Sequence, residues 1–207
     1  VLDIGGAPQI FAGQLANIGS ISGSGVIRVG EPLGSFFGYV TNGLYQTTDE
    51  LAAIADPQAR KPGDRRYADL NGDKKIDDND RAIIGRAQPK LVGGLNNTFS
   101  YKGVELTVFF QGVYGNEILN ANRFELEYLN GTTNQSRDVL NRWTPTNTNT
   151  EIPRATTTRP ANRISNRQIE DGSYLRLKNI QLAYNLPQSL LRTLKMTSYR
   201  PRRNPNC

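Results

Sequence analysis

Histidine is missing from this 207-residue sequence, and cysteine occurs once, as Cys207. Without histidine the chain cannot form a Ser-His-Asp or Cys-His catalytic arrangement, and it lacks the side chain that most zinc sites use. A single cysteine cannot form a disulfide within the chain. These two absences exclude histidine-dependent catalysis, nearly all zinc chemistry and an internal disulfide framework.

Long apolar runs are also missing. Hydrophobic residues make up 37% of the sequence, below the usual share of about 45–50%. No stretch approaches the roughly 20 consecutive apolar residues of a transmembrane helix. A transmembrane β-strand needs only about 9–11 residues with every second one apolar, so the sequence leaves a membrane β-barrel open.

Acidic residues are absent after Asp171, whereas seven arginines and lysines follow it. Those seven exceed the net charge of +6, so the chain up to Asp171 sums to −1. The basic character therefore belongs to the end of the chain and predicts no nucleic-acid partner. We interpret residues 196–207 as an aberrant basic tail that a frameshift would explain. Residues 1–195 are expected to form one region of a larger protein, because no signal peptide is visible at Val1.

Strand patterns are what the sequence does contain. Residues 91–102 and 104–114 form two extended runs joined at a tight turn, which predicts a β-hairpin. In the second run Val104, Leu106, Val108 and Phe110 share one face, and the other face is polar except for Phe109.

Residues 173–187 predict another long strand. Leu175 and Leu177 lie at odd-numbered positions, whereas the apolar residues Ile180, Leu182 and Tyr184 lie at even-numbered ones. This change of alternation predicts a β-bulge near Lys178 and Asn179. Shorter strands are expected at 11–17, 25–29 and 34–40. Helices are expected at 48–55, with Thr48 as N-cap, and within 117–129, and no strand is predicted between 115 and 172.

An acidic segment at residues 69–80 has the spacing of a calcium-binding loop. Oxygen-bearing side chains recur at loop positions 1, 3, 5, 9 and 12, and Ca²⁺ prefers such oxygen ligands. Lys74 stands where such a loop usually has glycine, and the last ligand is Asp instead of Glu. An Asn/Asp/Gly-rich turn without an ion is the alternative. The predicted ligands are the side chains of Asp69, Asn71, Asp73, Asp77 and Asp80 and the carbonyl of Lys75.

Several segments, in their order and spacing, resemble the C-terminal barrel region of the SusC/RagA family of TonB-linked outer-membrane proteins. They include GEPLGSFFGY (30–39), PGDRRYADLNGD (62–73), DDNDRAIIG (77–85), NNTFSYKG (96–103), FFQG (109–112) and DGSYLRLKNIQLAYNLP (171–187).

The resemblance implies an all-β fold, namely the C-terminal strands of a transmembrane barrel of about 22 strands with long extracellular loops. It implies uptake of oligosaccharides or peptides across the cell outer membrane of a Gram-negative bacterium. A SusD-like surface lipoprotein and TonB would be partners, TonB through an N-terminal region that this chain lacks. The barrel would contact outer-membrane lipid, and the acidic segment would be a structural calcium site in an extracellular loop. No catalytic residue is expected.

Two other functions remain open from the residues alone. The first is a soluble, calcium-stabilised β module that binds surface glycans, with Trp143 and the tyrosines stacking on sugar rings. The second is a glycoside hydrolase with a carboxylate pair, either Glu125 with Glu127 or Glu170 with Asp171. Solvated surface charge explains those acidic pairs equally well.

Overall fold

β-Strands dominate the computed structural model, which describes residues 5–15, 21–56, 58, 60–127, 129, 134–156 and 163–187. The strands are β1 (Gln9–Leu15), β2 (Ile21–Arg28), β3 (Ser35–Tyr39), β4 (Thr41–Leu44), β5 (Arg65–Tyr67), β6 (Arg81–Arg86), β7 (Leu91–Tyr101), β8 (Val104–Tyr114), β9 (Glu117–Leu119), β10 (Ile169–Asp171) and β11 (Tyr174–Tyr184). The helices are α1 (Thr48–Ala52) and α2 (Arg123–Leu126), with 3₁₀ turns at Asp78–Asp80, Arg137–Asn141 and Asn166–Gln168. Among the described residues, no helix is long and apolar enough to cross a membrane. The predicted all-β class is confirmed.

The chain divides into two compact units, each built from two stretches of sequence. Unit 1 consists of Val1–Lys90 and Tyr114–Ser173, and unit 2 consists of Leu91–Val113 and Tyr174–Cys207. The predicted tail at 196–207 lies outside the described residues, so its interpretation stays a prediction.

The described residues of unit 1 form three small sheets. The largest is antiparallel with the order β1-β2-β3-β6, while β4 pairs with β5 and β9 pairs with β10. One buried cluster consists of Tyr39, Tyr67 and Ile76, with Ile54 packed against it. A second cluster is centred on two residues far apart in sequence, Phe124 and Ile164.

Close backbone approach joins β3 to the segment around Ile164. The amide of Tyr39 donates to the Ile164 carbonyl at 2.8 Å. A Cβ placed on Gly38 would lie 2.5 Å from that same carbonyl oxygen, so only glycine fits there.

Unit 2 is a three-stranded sheet with the order β11-β8-β7. A two-residue turn joins β7 to β8, and both of its residues have positive φ, 45° at Lys102 and 85° at Gly103. Two positive φ values are typical of the hairpin turn whose twist matches that of the strands. The hairpin predicted from the sequence is confirmed.

The predicted β-bulge is also confirmed. β11 pairs with β8 in antiparallel register, and the register shifts between Leu177 and Asn179. Leu177 pairs with Phe110 and Ile180 pairs with Val108, so Lys178 is the extra residue. Because Lys178 is inserted, the apolar residues before and after it lie on the same face of the sheet.

The helix predictions need correction. The N-cap of α1 is Thr47, whose hydroxyl accepts from the Glu50 amide, and not Thr48. The helix predicted within 117–129 forms only as the single turn of α2, because its first residues form β9. β9 pairs with β10, so the prediction of no strand between 115 and 172 is wrong. That pairing spans about fifty residues of sequence, and local patterns do not report such distant partners.

The short N-terminal strands are present with shifted bounds. β1 covers the first part of the predicted strand at 11–17. Residues 16–17 of that prediction lie outside the described part of the chain. β2 begins four residues before the predicted start at Gly25, and β3 lies within the predicted 34–40.

Candidate functional site

The outstanding feature of unit 2 is an exposed apolar face that covers all three strands. Thr98 and Thr107 hydroxyls lie 3.2 Å apart across the hairpin, which fixes the register of β7 on β8. With the pairing of β11, this register places most of the apolar residues of the sheet on one face. We call it the apolar wall. Its members are Leu91, Leu95, Phe99 and Tyr101 of β7, Val104, Leu106, Val108, Phe110 and Tyr114 of β8, and Leu175, Leu177, Ile180, Leu182 and Tyr184 of β11.

Most of the outer-strand members of the apolar wall are strongly exposed within this chain. Leu95 is 59% exposed, Phe99 61% and Leu182 72%. Apolar surface of this extent on neighbouring strands is uncommon on a soluble monomer and marks a surface that contacts another apolar phase. Tyrosines lie at both ends of the wall, Tyr101 and Tyr184 beside the turn and Tyr114 at the opposite end.

The opposite face of the same sheet is mainly polar. It carries Asn96, Thr98, Ser100, Glu105, Thr107, Gln111, Arg176, Asn179 and Gln181. Val92, Phe109, Val113 and Tyr174 interrupt this face. A Cβ on Gly94 would lie 3.0 Å from the Phe109 ring. Phe109 therefore covers the backbone of Gly94, which has no side chain of its own to shield it.

The predicted calcium ligands lie together in unit 1, in the segment that we call the acidic loop (residues 69–80). Asp69 accepts from the amides of Gly72 and Lys74 at 2.7 and 2.8 Å. The Asn71 side chain accepts from the Asp73 amide at 3.0 Å. The Asp73 side chain accepts from the Lys75 amide at 2.8 Å.

The remaining two carboxylates close the acidic loop. Asp77 accepts from the Asn79 amide at 2.8 Å. Asp80 is fully buried and accepts from the amides of Leu70 and Asp77 at 2.8 and 2.9 Å. The loop is thus held by bonds from its own backbone to its acidic and amide side chains.

Two features of the loop agree with the spacing of a calcium-binding loop. Lys74 has φ 63°, the left-handed conformation that position 6 of such a loop requires. Ile76 at position 8 is fully buried. In the described part of the chain, however, no three acidic, histidine or cysteine side chains are placed to hold one metal ion.

The carboxylates considered for a hydrolase are held by hydrogen bonds and ion pairs. Glu127 is buried and pairs with Arg123 at 2.8 Å and with Arg167 at 2.7 Å. Hydrogen bonds from Ser173 lower the pKa of Asp171. A general acid needs a raised pKa, so Asp171 does not suit that role.

Several of the aromatic residues considered for sugar stacking are packing groups in unit 1. Tyr39, Tyr45 and Tyr67 are buried. A Cβ on Gly63 would collide with the Trp143 ring, and the Trp143 indole donates to Gln46 at 2.9 Å. Three of these four rings are therefore buried, and the half-buried Trp143 is held by its contact with Gly63 and its hydrogen bond to Gln46.

Fold and site together describe a segment of an all-β protein with an apolar wall on one sheet. No family model matches the chain. Three curated proteins of Formosa agariphila are similar to most of it: TonB-dependent receptor P3 is 42% identical over 172 residues, or 80% of this chain. TonB-dependent receptor P26 is 38% identical over 196 residues, or 90% of this chain. TonB-dependent receptor P39 is 26% identical over 84% of this chain.

The chain is therefore a segment of a TonB-dependent receptor. It spans 16%, 19% and 20% of the lengths of these three relatives.

Proposed function

We propose that this chain forms part of the wall of an outer-membrane importer, with the apolar wall of unit 2 against lipid. The observation that carries the proposal is a sheet of three 11-residue strands with one apolar and one polar face. A strand of this length, at about 3.3 Å per residue and tilted by about 45°, spans about 25 Å along the membrane normal. That is the height of the apolar band on bacterial outer-membrane barrels.

Sidedness follows from the connections of the sheet. Short turns of such barrels face the periplasm and long connections face the outside. We assign the Lys102-Gly103 turn to the periplasmic end and the residues between β8 and β11 to an extracellular excursion. The tyrosines at the two ends of the apolar wall then lie at the lipid headgroups.

The finer assignment follows the ordered SusC/RagA-like segments of the sequence. We assign the chain to a SusC/RagA-type importer of oligosaccharides or peptides in the outer membrane of a Gram-negative bacterium. Its partners are then a SusD-like lipoprotein and, through a region outside this chain, TonB. Transport in such a protein requires conformational change and no covalent chemistry, so no catalytic residue is assigned.

The lipid-facing role is tested by two neighbouring substitutions on β11. Ile180 is 62% exposed in the middle of the apolar wall, and Gln181 lies on the polar face. Arginine on a lipid face costs about 2–4 kcal/mol at the bilayer midplane. Ile180→Arg should therefore lower the urea midpoint of the chain in phosphatidylcholine vesicles, while Gln181→Arg should change it little. Equal effects of the two substitutions would contradict the proposal.

We also propose that the acidic loop binds Ca²⁺. The ligands are the side chains of Asp69, Asn71, Asp73, Asp77 and Asp80 and the carbonyl of Lys75. Each carboxylate oxygen that accepts one N–H keeps a second lone pair, so the hydrogen bonds of the loop are compatible with an ion. Left-handed Lys74 and buried Ile76 support the assignment. The expected dissociation constant is that of an extracellular module, about 10⁻⁴–10⁻³ M.

Trypsin cleavage after Lys74 and Lys75 tests the calcium proposal. Calcium at about ten times its dissociation constant should slow cleavage about tenfold relative to a chelator. Asp69→Asn should remove this protection, and Asp49→Asn, in the exposed first turn of α1, should leave it intact. Equal cleavage with calcium and with chelator would exclude a calcium-ordered loop.

A further inference from the structure

An asparagine followed by a glycine occurs at residues 42–43, 71–72 and 130–131. In such a pair the glycine amide nitrogen can attack the side-chain carbonyl carbon of the asparagine, because glycine has no Cβ to obstruct the approach. The pair at 130–131 lies outside the described residues. Asn42 and Asn71 are both exposed, so exposure alone does not distinguish the other two pairs. Their hydrogen bonds do.

The Asn71-Gly72 pair is held on both sides of the bond that would form. The Gly72 amide donates to the Asp69 carboxylate at 2.7 Å. The Asn71 side chain donates to the Asp73 carboxylate at 3.1 Å and accepts from the Asp73 amide at 3.0 Å. The attacking nitrogen and the amide group that it would attack are therefore both fixed, and the bond from Gly72 must break before they can join.

The Asn42-Gly43 pair lies at an irregularity of β4 and is held less. The register of β4 on β5 shifts between Thr41 and Leu44, and it gives no partner to the two residues between them. In the part of the chain that the structure describes, no hydrogen bond of the Asn42 side chain is found. A Cβ on Gly43 would meet nothing within 4 Å, so the pair has room to close a ring and water can reach it.

Arg66 favours the reaction at Asn42. Its Nε donates to the Asn42 main-chain carbonyl at 2.8 Å. That carbonyl belongs to the same peptide group as the Gly43 nitrogen, which attacks as the deprotonated amide. A guanidinium on the carbonyl oxygen stabilises the negative charge of this amide anion. The carboxylates around Gly72 have the opposite effect on the Gly72 amide.

We propose that Asn42 is a site of spontaneous deamidation in the folded protein. The Gly43 nitrogen loses its proton to solvent and bonds to the Asn42 side-chain carbon. The C–N bond of the side-chain amide breaks, and its nitrogen takes up a proton from solvent and leaves as ammonia. Water then opens the five-membered imide at one of its two carbonyls, which gives aspartate or isoaspartate. The reaction is hydrolytic and requires no oxidant or reductant.

The modification changes the charge of a cavity of about 630 Å³ that Asn42 lines together with Glu50 and Arg66. Both products place a new carboxylate beside the Arg66 guanidinium. Isoaspartate also lengthens the main chain of β4 by one atom, next to Thr41, whose amide and hydroxyl donate to the Asn166 side chain at 2.9 and 2.7 Å. Deamidation therefore alters the charge and the packing of this part of unit 1 as the protein ages.

Incubation of the chain in detergent micelles, in mildly alkaline buffer with a chelator, tests the proposal. Trypsin cuts after Arg65 and Arg66, so the two asparagines fall in separate peptides, and mass spectrometry measures the conversion of each amide to the acid. Asn42 should deamidate at least about tenfold faster than Asn71, because a charge-assisted hydrogen bond must first break at Gly72. In urea, where neither pair is held, the two rates should converge.

Equal rates in the folded chain, or a faster reaction at Asn71, would overturn the proposal. A difference that persists in urea would also overturn it, because the neighbouring sequence and not the fold would then set the rates. These outcomes are independent of the lipid and calcium proposals, since the measurement uses neither vesicles nor calcium.

Two variants test the roles of the neighbouring residues. Gly43→Ala should slow the reaction severalfold, since the added methyl group obstructs the nitrogen, and an unchanged rate would overturn attack by Gly43. Arg66→Gln should also slow it, with Arg86→Gln as the matched control, because Arg86 is exposed and lies outside the cavity. A variant that does not fold would deamidate at Asn42 and Asn71 alike, as in urea. A folded Arg66→Gln chain with the wild-type rate would overturn the role of Arg66.

Discussion

Tyr39 is a buried residue whose ionisation should affect the free energy of unfolding. Its hydroxyl donates to Asp78 at 3.1 Å, and the Arg163 guanidinium lies 4.8 Å from its ring centre. Burial raises the pKa of Tyr39 to about 12. The unfolded chain releases this proton near pH 10, so the folded state holds it over a range where the unfolded state does not.

The free energy of unfolding should therefore fall as the pH rises from about 10 to about 12. Tyr39→Phe should remove this part of the pH dependence, and it should also cost about 1 kcal/mol at neutral pH for the lost hydrogen bond. Urea unfolding at several alkaline pH values measures both effects. Tyr101→Phe is the control, because Tyr101 is 72% exposed on unit 2. The same alkaline slope in wild type and Tyr39→Phe would show that another group is responsible.

At the scale of the element, the bulge in β11 decides which residues belong to the apolar wall. Removal of Lys178 would restore strict alternation along the strand. Leu175 and Leu177 would then move to the polar face, while Ile180 and Leu182 stayed on the wall.

Deletion of Lys178 should lower the urea midpoint of the chain in lipid vesicles by more than Lys178→Ala does. The deletion changes the register, whereas the alanine substitution keeps the bulge and removes only the charged side chain. A deletion with no larger effect than the alanine substitution would show that the bulge does not position these leucines.

At the scale of the whole molecule, the two units have different surfaces. Unit 1 buries its aromatic residues in clusters, whereas unit 2 exposes the apolar wall. A sheet with so much exposed apolar surface is an aggregation hazard in water unless lipid or further strands cover it.

Lipid should therefore protect unit 2 selectively from trypsin. In vesicles, cleavage after Arg176 and Lys178 in β11 should become slow, while cleavage after Arg137, which is exposed in unit 1, should persist. Mass spectrometry of the fragments measures both rates, with the lipid-free chain as reference. Protection that is the same with and without lipid would contradict membrane contact by β11.

The sequence by itself determined the parts of this protein that depend on neighbouring residues. The alternation in β8, the turn at Lys102-Gly103 and the bulge beside Lys178 follow from side-chain period and local backbone preference. The ordered motifs also identified the receptor family, because their order and spacing can be recognised in the sequence without knowledge of any contact.

Only the tertiary structure decided the features that join distant residues. β9 has its partner β10 about fifty residues away, and Gly38 is required by the carbonyl of Ile164. The shared pairing of Glu127 with Arg123 and Arg167 also could not be predicted, since Arg167 lies forty residues from Glu127 in the sequence. Strand pairing, close packing and charge pairing depend on which residues lie close together in space. A local sequence pattern does not show this for residues that are far apart in the chain.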